Sequence, residues 1–279
     1  MHKENERLSW SKSDIEQKLG FRGGRYTTVN TPLCVVLAAV STIVFYFILY
    51  LIPGSWFVDM FTKRGMTPYG MIFLASWALF ILLFKTLKIR LQNKALAIAI
   101  VPREQDFVLS PNTVDQVLRN VNDAVEQPKD FFLFNRIVIT LSNLKNIGMV
   151  SEVGDIFRAH NDHDVETVEV SYSRVNSFLW AIPVLGFIGT AEGLTKAIGS
   201  FGGVLASGAD MATLTVSLQN VTGGLATAFE TTLIALVLAL FLQLLTAALR
   251  NSEEELLLAC SEYCTTNIVS RLRTEKSIL

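Results

Sequence analysis

Two stretches of the sequence contain no charged residue, and they constrain the fold more than any other feature. Residues 26–58 and 65–84 lack Asp, Glu, Lys and Arg altogether, and a helix of about 20 apolar residues crosses a bilayer. Two later apolar stretches are interrupted only by Glu192 with Lys196 and by Glu230. We therefore expect four membrane-spanning helices, at about 31–53, 66–86, 177–198 and 220–249.

Charged residues are concentrated between and beyond these stretches. They make up 18% of the chain, fewer than the roughly 25% of an ordinary soluble domain. Residues 91–175 are hydrophilic, and we expect helices within them at 112–125 and 131–142, followed by a long charged helical stretch from Glu152 into the third span. The sequence thus predicts an all-α integral membrane protein with four transmembrane helices, a helical cytoplasmic domain between the second and third, and a C-terminal cytoplasmic helix. The predicted divisions are a cytoplasmic arm at 1–30, a transmembrane hairpin at 31–90, the cytoplasmic helical domain at 91–175, a second transmembrane hairpin at 176–249 and the C-terminal helix at 250–279.

Three shorter segments carry local predictions. An amphipathic helix is expected over 11–19, in the N-terminal arm. The link over 54–64 is short and reads as a turn. The link over 199–220 contains three glycines, and we expect it to separate the last two spanning helices.

The distribution of basic residues indicates the orientation. The N-terminal arm, the block after the second span and the C-terminal tail all carry Lys and Arg near membrane ends. Of the two short links, the one over 54–64 carries Lys63 and Arg64 and the one over 199–220 carries none. Cytoplasmic segments carry the excess of Lys and Arg in membrane proteins. We therefore expect a multi-pass protein with both termini and the large hydrophilic block in the cytoplasm.

Composition excludes several other functions. A net charge of -1 argues against nucleic-acid binding, which needs a basic face. The three cysteines fit no disulfide framework, and we expect reduced structural thiols. His160 and His163 are expected on a solvated polar face rather than around a metal ion. We predict no catalytic residue, no metal site and no bound cofactor.

Small residues form a stripe along each of the last two predicted helices. Steps of three and four residues place such side chains on one helix face. Two interpretations remain open: close packing between helices, or two faces directed at a shared lumen or a central partner helix. The first stripe comprises Pro183, Gly186, Thr190, Gly193 and Ala197, with Gly189 in the same segment, and the second comprises Gly224, Ala228, Thr232, Ala235 and Ala239.

Ionisable residues at membrane depth are costly and are often functional. Glu192 has Lys196 one turn further on, so a local ion pair is one interpretation. Glu230 has no local cation; it is neutral, bonded to a hydroxyl such as that of Thr190 or Thr227, or in contact with water. If the helices are antiparallel with their threonines level, both carboxylates share a depth and could form a protonatable ring.

Pro183 removes one backbone donor inside its predicted helix. A static kink and a hinge are both compatible with this position.

Two motifs resemble those of the MotA/TolQ/ExbB proton channel family. They are Pro183-Val-Leu-Gly-Phe-Ile-Gly-Thr190 with Gly193-Leu194, and Gly224-Leu-Ala-Thr-Ala-Phe-Glu-Thr-Thr232-Leu-Ile-Ala-Leu236. The resemblance implies a bacterial inner-membrane subunit that forms a pentamer around two copies of a single-span MotB/TolR/ExbD-like partner. That partner carries an essential aspartate in its membrane helix, and ion flow through the complex drives mechanical work.

The resemblance also implies roles for individual residues. Thr190 and Thr232 match the family threonines that line the ion path, and Pro183 matches a proline of the motor-type members. We assign Thr231, Glu230 and Glu192 to the same path, although TolQ/ExbB-like members carry their glutamate at the position of Thr227 and commonly an aromatic or apolar residue at position 192. Gly186, Gly189, Gly193, Gly224, Ala228 and Ala235 are assigned to helix packing, with Pro183 as hinge.

The sequence therefore predicts a non-enzymatic channel subunit of an ion-driven motor that translocates H⁺ or Na⁺. No Asp occurs in any of the four predicted spans, so the partner aspartate has to come from a second polypeptide. Two alternatives from other classes are a membrane scaffold without ion flow and a small secondary transporter. Transporters often show internal repeats, and no clear repeat relates the two predicted hairpins.

Overall fold

The computed structural model describes residues 7–21, 23–52, 54–98, 100–101, 109, 113–143, 150–207 and 211–272. Within these ranges the chain is all-helical, and the extended backbone pairs only at two isolated bridges, Leu8 with Val125 and Leu109 with Leu272. The α-helices are α1 (Trp10–Ser13), α2 (Ile15–Lys18), α3 (Thr31–Leu51), α4 (Trp56–Thr62), α5 (Thr67–Leu96), α6 (Val114–Ala124), α7 (Phe132–Ser142), α8 (Val150–Ser207) and α9 (Met211–Asn267).

Four of the described helices, α3, α5, α8 and α9, contain segments long and apolar enough to cross a membrane. The prediction of an all-helical protein with four candidate spanning helices is therefore confirmed. The chain divides into two compact units, each of which takes segments of α5, α8 and α9. We call them the apolar unit, Thr31–Leu82 with Ser173–Ala247, and the polar unit, Met1–Asn30 with Leu83–Tyr172 and Ala248–Leu279.

In the apolar unit, the link over 54–64 differs from the prediction, which was a turn. It contains the helix α4, which begins after Ser55 and buries Val58, Met60 and Phe61. The Phe61 ring packs edge-on against Phe45 of α3, with ring centroids 5.4 Å apart. A helix in this link buries apolar side chains against α3, which a turn would leave exposed. This packing explains the difference from the prediction.

The helix α8 begins at Val150, close to the predicted start of the charged helical stretch at Glu152, and both α8 and α9 extend beyond the predicted spans of 177–198 and 220–249. The glycine-rich link over 199–220 is helical up to Ser207 and again from Met211, and residues 208–210 lie outside the described chain. The predicted C-terminal helix at 250–279 is continuous with α9 as far as Asn267. One contact joins the two helices in this region: the Ser217 hydroxyl donates to the Ser200 carbonyl at 3.0 Å.

In the polar unit, the helix expected over 11–19 is broken into α1 and α2. Asp14 lies between them in extended conformation, and its side chain accepts a hydrogen bond from the Glu16 backbone N–H. A capping carboxylate of this kind begins a new helix rather than continuing the old one. Burial and the nearby Glu16 carboxylate raise the pKa of Asp14, although Lys88 acts in the opposite direction.

Aromatic contacts hold the N-terminal segment onto the segment that begins α7. Trp10 packs edge-on against Phe131 with centroids 5.1 Å apart, and Tyr26 stacks on Phe132 at 4.3 Å. Each ring is buried, and aromatic pairs of this geometry stabilise beyond the area they bury. The arm is thus part of the core of the polar unit.

The second predicted span ends at about 86, yet α5 continues to Leu96. Two of its lysines, Lys85 and Lys88, are buried in the polar unit, where each pairs with a carboxylate. Lys85 lies 3.0 Å from Glu253 of α9, and Lys88 lies 2.6 Å from Glu16 of α2. Because these charges are paired, the helix can extend beyond its apolar segment without leaving a buried charge uncompensated.

Candidate functional site

The helices α8 and α9 pack closely along their small residues in the apolar unit. A methyl group added at Gly193 would lie 2.6 Å from the Gly224 carbonyl oxygen, and one added at Gly186 would lie 2.6 Å from the Ala235 Cβ. Contacts at such distances leave no room for a side chain at either glycine. Residue numbers rise along α8 as they fall along α9, so the two helices are antiparallel.

Thr190 and Thr232 meet at the edge of this contact. Their hydroxyl oxygens share a hydrogen bond 2.5 Å long. Each hydroxyl also lies within bonding distance of the carbonyls of Gly186 and Ala228, at 3.1 to 3.4 Å. Both side chains are half-buried, so the pair has one side toward the helix contact and one side open. We call Thr190 with Thr232 the hydroxyl pair.

The hydroxyl pair has more acceptor capacity than its own protons can use. Each threonine hydroxyl has one proton and two lone pairs, and the two backbone carbonyls and the partner hydroxyl compete for the two protons. Lone pairs on the open side are therefore available to accept a proton donor or to coordinate a small cation.

Bulky apolar residues flank the open side of the hydroxyl pair. Phe187 and Phe229, each three residues before a threonine, are 69% and 74% exposed. Leu194 and Leu236, each four residues after a threonine, are also exposed. Residues three and four apart share a helix face, so the pair is the polar centre of an otherwise apolar surface.

Thr231, which the sequence assigned to the ion path, faces elsewhere. It is fully buried, and its hydroxyl donates to the Thr227 carbonyl of its own helix at 2.9 Å. A methyl group added at Gly189 would lie 2.6 Å from the Thr231 hydroxyl and 2.9 Å from that of Thr67. Thr231 thus packs between α8 and α5, away from the open side of the hydroxyl pair.

Glu230 has a partner that none of the sequence-based alternatives included. The Arg64 guanidinium donates from Nε to Glu230 Oε2 at 2.6 Å and from Nη2 to Oε1 at 3.1 Å. The expectation of a neutral, hydroxyl-bonded or hydrated Glu230 is corrected by this ion pair. The reason is distance in sequence: the two residues are 166 positions apart, and local spacing carries no information about such a contact.

Glu192 makes the local ion pair that was one of its interpretations. Lys196 donates to Glu192 Oε1 at 2.6 Å. Two residues along a helix correspond to a rotation of about 200°, so Glu192 and Glu230 lie on the sides of their helices opposite Thr190 and Thr232. The structure therefore brings the two threonines together but separates both carboxylates from them.

Pro183 lies inside α8, which continues through it. It remains a predicted hinge.

Sequence reasoning missed Arg64 and Thr67 as neighbours of the site. The available signal was that the short link between two spanning helices carries two basic residues, Lys63 and Arg64, but it did not indicate which of them pairs with Glu230.

The fold and the site define a helical membrane protein with a pair of hydroxyl groups at an otherwise apolar helix surface. Residues 128–262 match the sequence profile of the MotA/TolQ/ExbB proton channel family. The match confirms the resemblance drawn from the two motifs, and it assigns this segment, with all of α7 and α8 and most of α9, to that family. It supports a channel-type subunit. No curated protein and no solved structure shows a significant match to the chain.

Proposed function

We propose that the chain is the pentamer-forming channel subunit of an ion-driven inner-membrane motor. It works with a dimer of a single-span partner that carries an aspartate in its membrane helix. The observation that carries this proposal is the half-exposed hydroxyl pair on α8 and α9, within the segment that matches the family. The pair offers lone pairs on a surface that is otherwise apolar.

The partner aspartate is needed because the four spanning segments contain no Asp. A protonated carboxyl group on a partner helix can donate to the hydroxyl pair, and an ionised one can pass a small cation to it. Exposed Phe187 and Phe229 give the partner helix an apolar surface on both sides of the polar contact. Such a surface has few polar groups that would hold the partner in one position.

The ion gradient supplies the work. One elementary charge crossing 100 mV releases about 2.3 kcal/mol, and about 1.4 kcal/mol changes an equilibrium tenfold. Each ion can therefore shift the packing of the partner helices against α8 and α9 by more than tenfold. We further propose that both termini lie in the cytoplasm, as the basic residues of the sequence indicate.

The experiment is the variant Thr232→Val in a complex with the single-span, aspartate-bearing partner that this proposal requires, to be sought among the proteins encoded next to this chain. Valine has the shape of threonine without the hydroxyl, so assembly is retained while the ion path loses an acceptor. After reconstitution into liposomes, H⁺ and Na⁺ flux are measured under an imposed gradient, and subunit stoichiometry is measured by native mass spectrometry. We expect loss of flux with stoichiometry unchanged.

Thr246→Val is the matched control. Thr246 is on the same helix as Thr232 but is buried, and its hydroxyl donates to the Leu242 carbonyl of its own helix at 2.7 Å. Flux should survive this change. Equal flux in wild type and Thr232→Val would remove the hydroxyl pair from the path, and a wild-type complex that carries neither ion would favour the scaffold.

A further inference from the structure

Arg64 lies in the short link between α4 and α5 and binds α9 at two points. Besides its two hydrogen bonds to the Glu230 carboxylate, its Nη1 donates to the Gly223 carbonyl at 3.5 Å. The side chains of Arg64 and Glu230 are only 18% and 14% exposed. Two parallel hydrogen bonds between a guanidinium and a carboxylate fix both distance and orientation.

The neighbouring basic residue of the same link behaves differently. Lys63 pairs with Asp59 at 2.9 Å, but both residues belong to one helical turn and the lysine is largely exposed. An exposed pair of this kind contributes little and fixes nothing beyond its own helix. Of the two cations, Arg64 is the one that ties the link to a distant helix.

The link also rests on α8. Gly65 has a φ of +88°, a backbone conformation that favours glycine. A methyl group at this position would lie 3.1 Å from both carboxylate oxygens of Glu192. The link therefore lies beside the carboxylate of α8 at Gly65, and it binds the carboxylate of α9 through Arg64.

These contacts lie on the side of the α8–α9 pair opposite the hydroxyl pair. Glu230 precedes Thr232 by about 3 Å along the helix axis and about 200° around it. Any rotation of α9 that moves Thr232 away from Thr190 also pulls Glu230 away from Arg64. The guanidinium thus resists that rotation, because an unpaired, partly buried carboxylate is costly.

We propose that Arg64 is a positioning residue for the hydroxyl pair: it holds α9 through Glu230 so that Thr232 faces the open surface level with Thr190. The assignment rests on the proposed function, since the position of the pair matters only if ions use it. Glu230 then serves as the anchor for Arg64 and accepts no ion itself, in contrast to the role that its place in the sequence suggested.

The test measures the position of the hydroxyl pair directly, without ion flux. The variant Thr190→Cys with Thr232→Cys places two thiols where hydroxyl oxygens are 2.5 Å apart, close enough for a disulfide. The rate of oxidative cross-linking in the assembled complex is followed by mass spectrometry of the linked peptides. Arg64→Gln in this background should cross-link about tenfold more slowly, because charge-assisted hydrogen bonds shift equilibria by at least that factor.

Three further variants make the result specific to the ion pair. Lys63→Gln removes the same charge from the same link and should cross-link at the parent rate. Exchange of the two charges, Arg64→Glu with Glu230→Arg, should restore much of the rate. Arg64→Lys keeps the charge but loses the bidentate geometry, and we expect an intermediate rate. If Arg64→Gln does not assemble, the cross-linking rate of Arg64→Lys tests the positioning role in its place.

Flux separates this inference from the proposed function. Arg64→Gln should lower flux, and the exchanged pair should recover it. Cross-linking that is independent of Arg64, in a complex whose flux requires Thr232, overturns the positioning role alone. Cross-linking that depends on Arg64, in a complex without flux, overturns the proposed function and shows that Arg64 serves only the packing of the helices.

Discussion

Replacing Glu253 by leucine tests how strongly the buried charges stabilise the polar unit. Glu253 is 0% exposed and lies 3.0 Å from Lys85, which is 1% exposed. It also accepts hydrogen bonds from Tyr172, at 2.8 Å, and from Thr27. One carboxylate thus connects the arm, α5, α8 and α9.

The magnitude follows from what the leucine leaves behind. Removing one partner of a buried ion pair costs about 3–5 kcal/mol, because the remaining charge is uncompensated. A folded domain is stable by only about 5–15 kcal/mol, so Glu253→Leu should remove a large part of the free energy of unfolding. Adding Lys85→Met removes the orphaned ammonium, and the remaining cost is that of hydroxyls without an acceptor, about 1–3 kcal/mol.

The assay is reversible unfolding in mixed detergent micelles, followed by tryptophan fluorescence, since Trp10 is buried in the polar unit. Glu254→Gln is the control. Glu254 is the exposed neighbour of Glu253, and its ion pair is with Arg250 of the same helical turn, at 3.1 Å. Its replacement should change the free energy of unfolding by about 0.5 kcal/mol at most. The reasoning fails if the double variant is no more stable than Glu253→Leu, or if Glu254→Gln costs as much.

Two other variants probe packing and protonation. Gly224→Ala should destabilise the protein by about 1–3 kcal/mol, because the added methyl lies 2.7 Å from the Gly193 backbone oxygen. A methyl added at Gly223 meets nothing within 4 Å, so Gly223→Ala should be neutral or stabilising. Thermal unfolding of the purified complex measures both effects. The raised pKa of Asp14 means that the folded state holds its proton more tightly than the unfolded state. The free energy of unfolding should therefore fall as the pH rises above 3.8, and Asp14→Asn should lack this fall; an equal slope in both proteins, measured by denaturant titration at several pH values, contradicts the assignment.

Several helices could be predicted because their signal is local. The α7 helix at Phe132–Ser142 lies where the apolar periodicity indicated, and four candidate spans follow from long apolar runs. Their ends were less predictable. The continuation of α5 to Leu96 depends on Glu16 and Glu253, which are distant in sequence and pair with its lysines.

The residues of the candidate site likewise fall into those that local sequence patterns predicted and those that depended on tertiary packing. Two motifs with fixed spacing identified Thr190 and Thr232, and an antiparallel hairpin of helices brings them level. Spacing could not assign the carboxylates, because a position two residues from each threonine lies on the other side of the helix. Arg64 was missed as the partner of Glu230 because charge pairing between distant segments depends on how whole helices pack.

By itself, the sequence determined that this chain has four apolar helical segments, with small residues and threonines at helical spacing on the last two, since hydropathy and periodicity are properties of neighbouring residues. Tertiary structure alone decided which surface each polar group faces. In the folded chain, Thr190 and Thr232 lie at an open edge, Thr231 is buried, and Glu230 forms an ion pair with Arg64. The physical reason is that a buried charge is stable only with a partner, and that partner can come from any part of the chain that packing brings near.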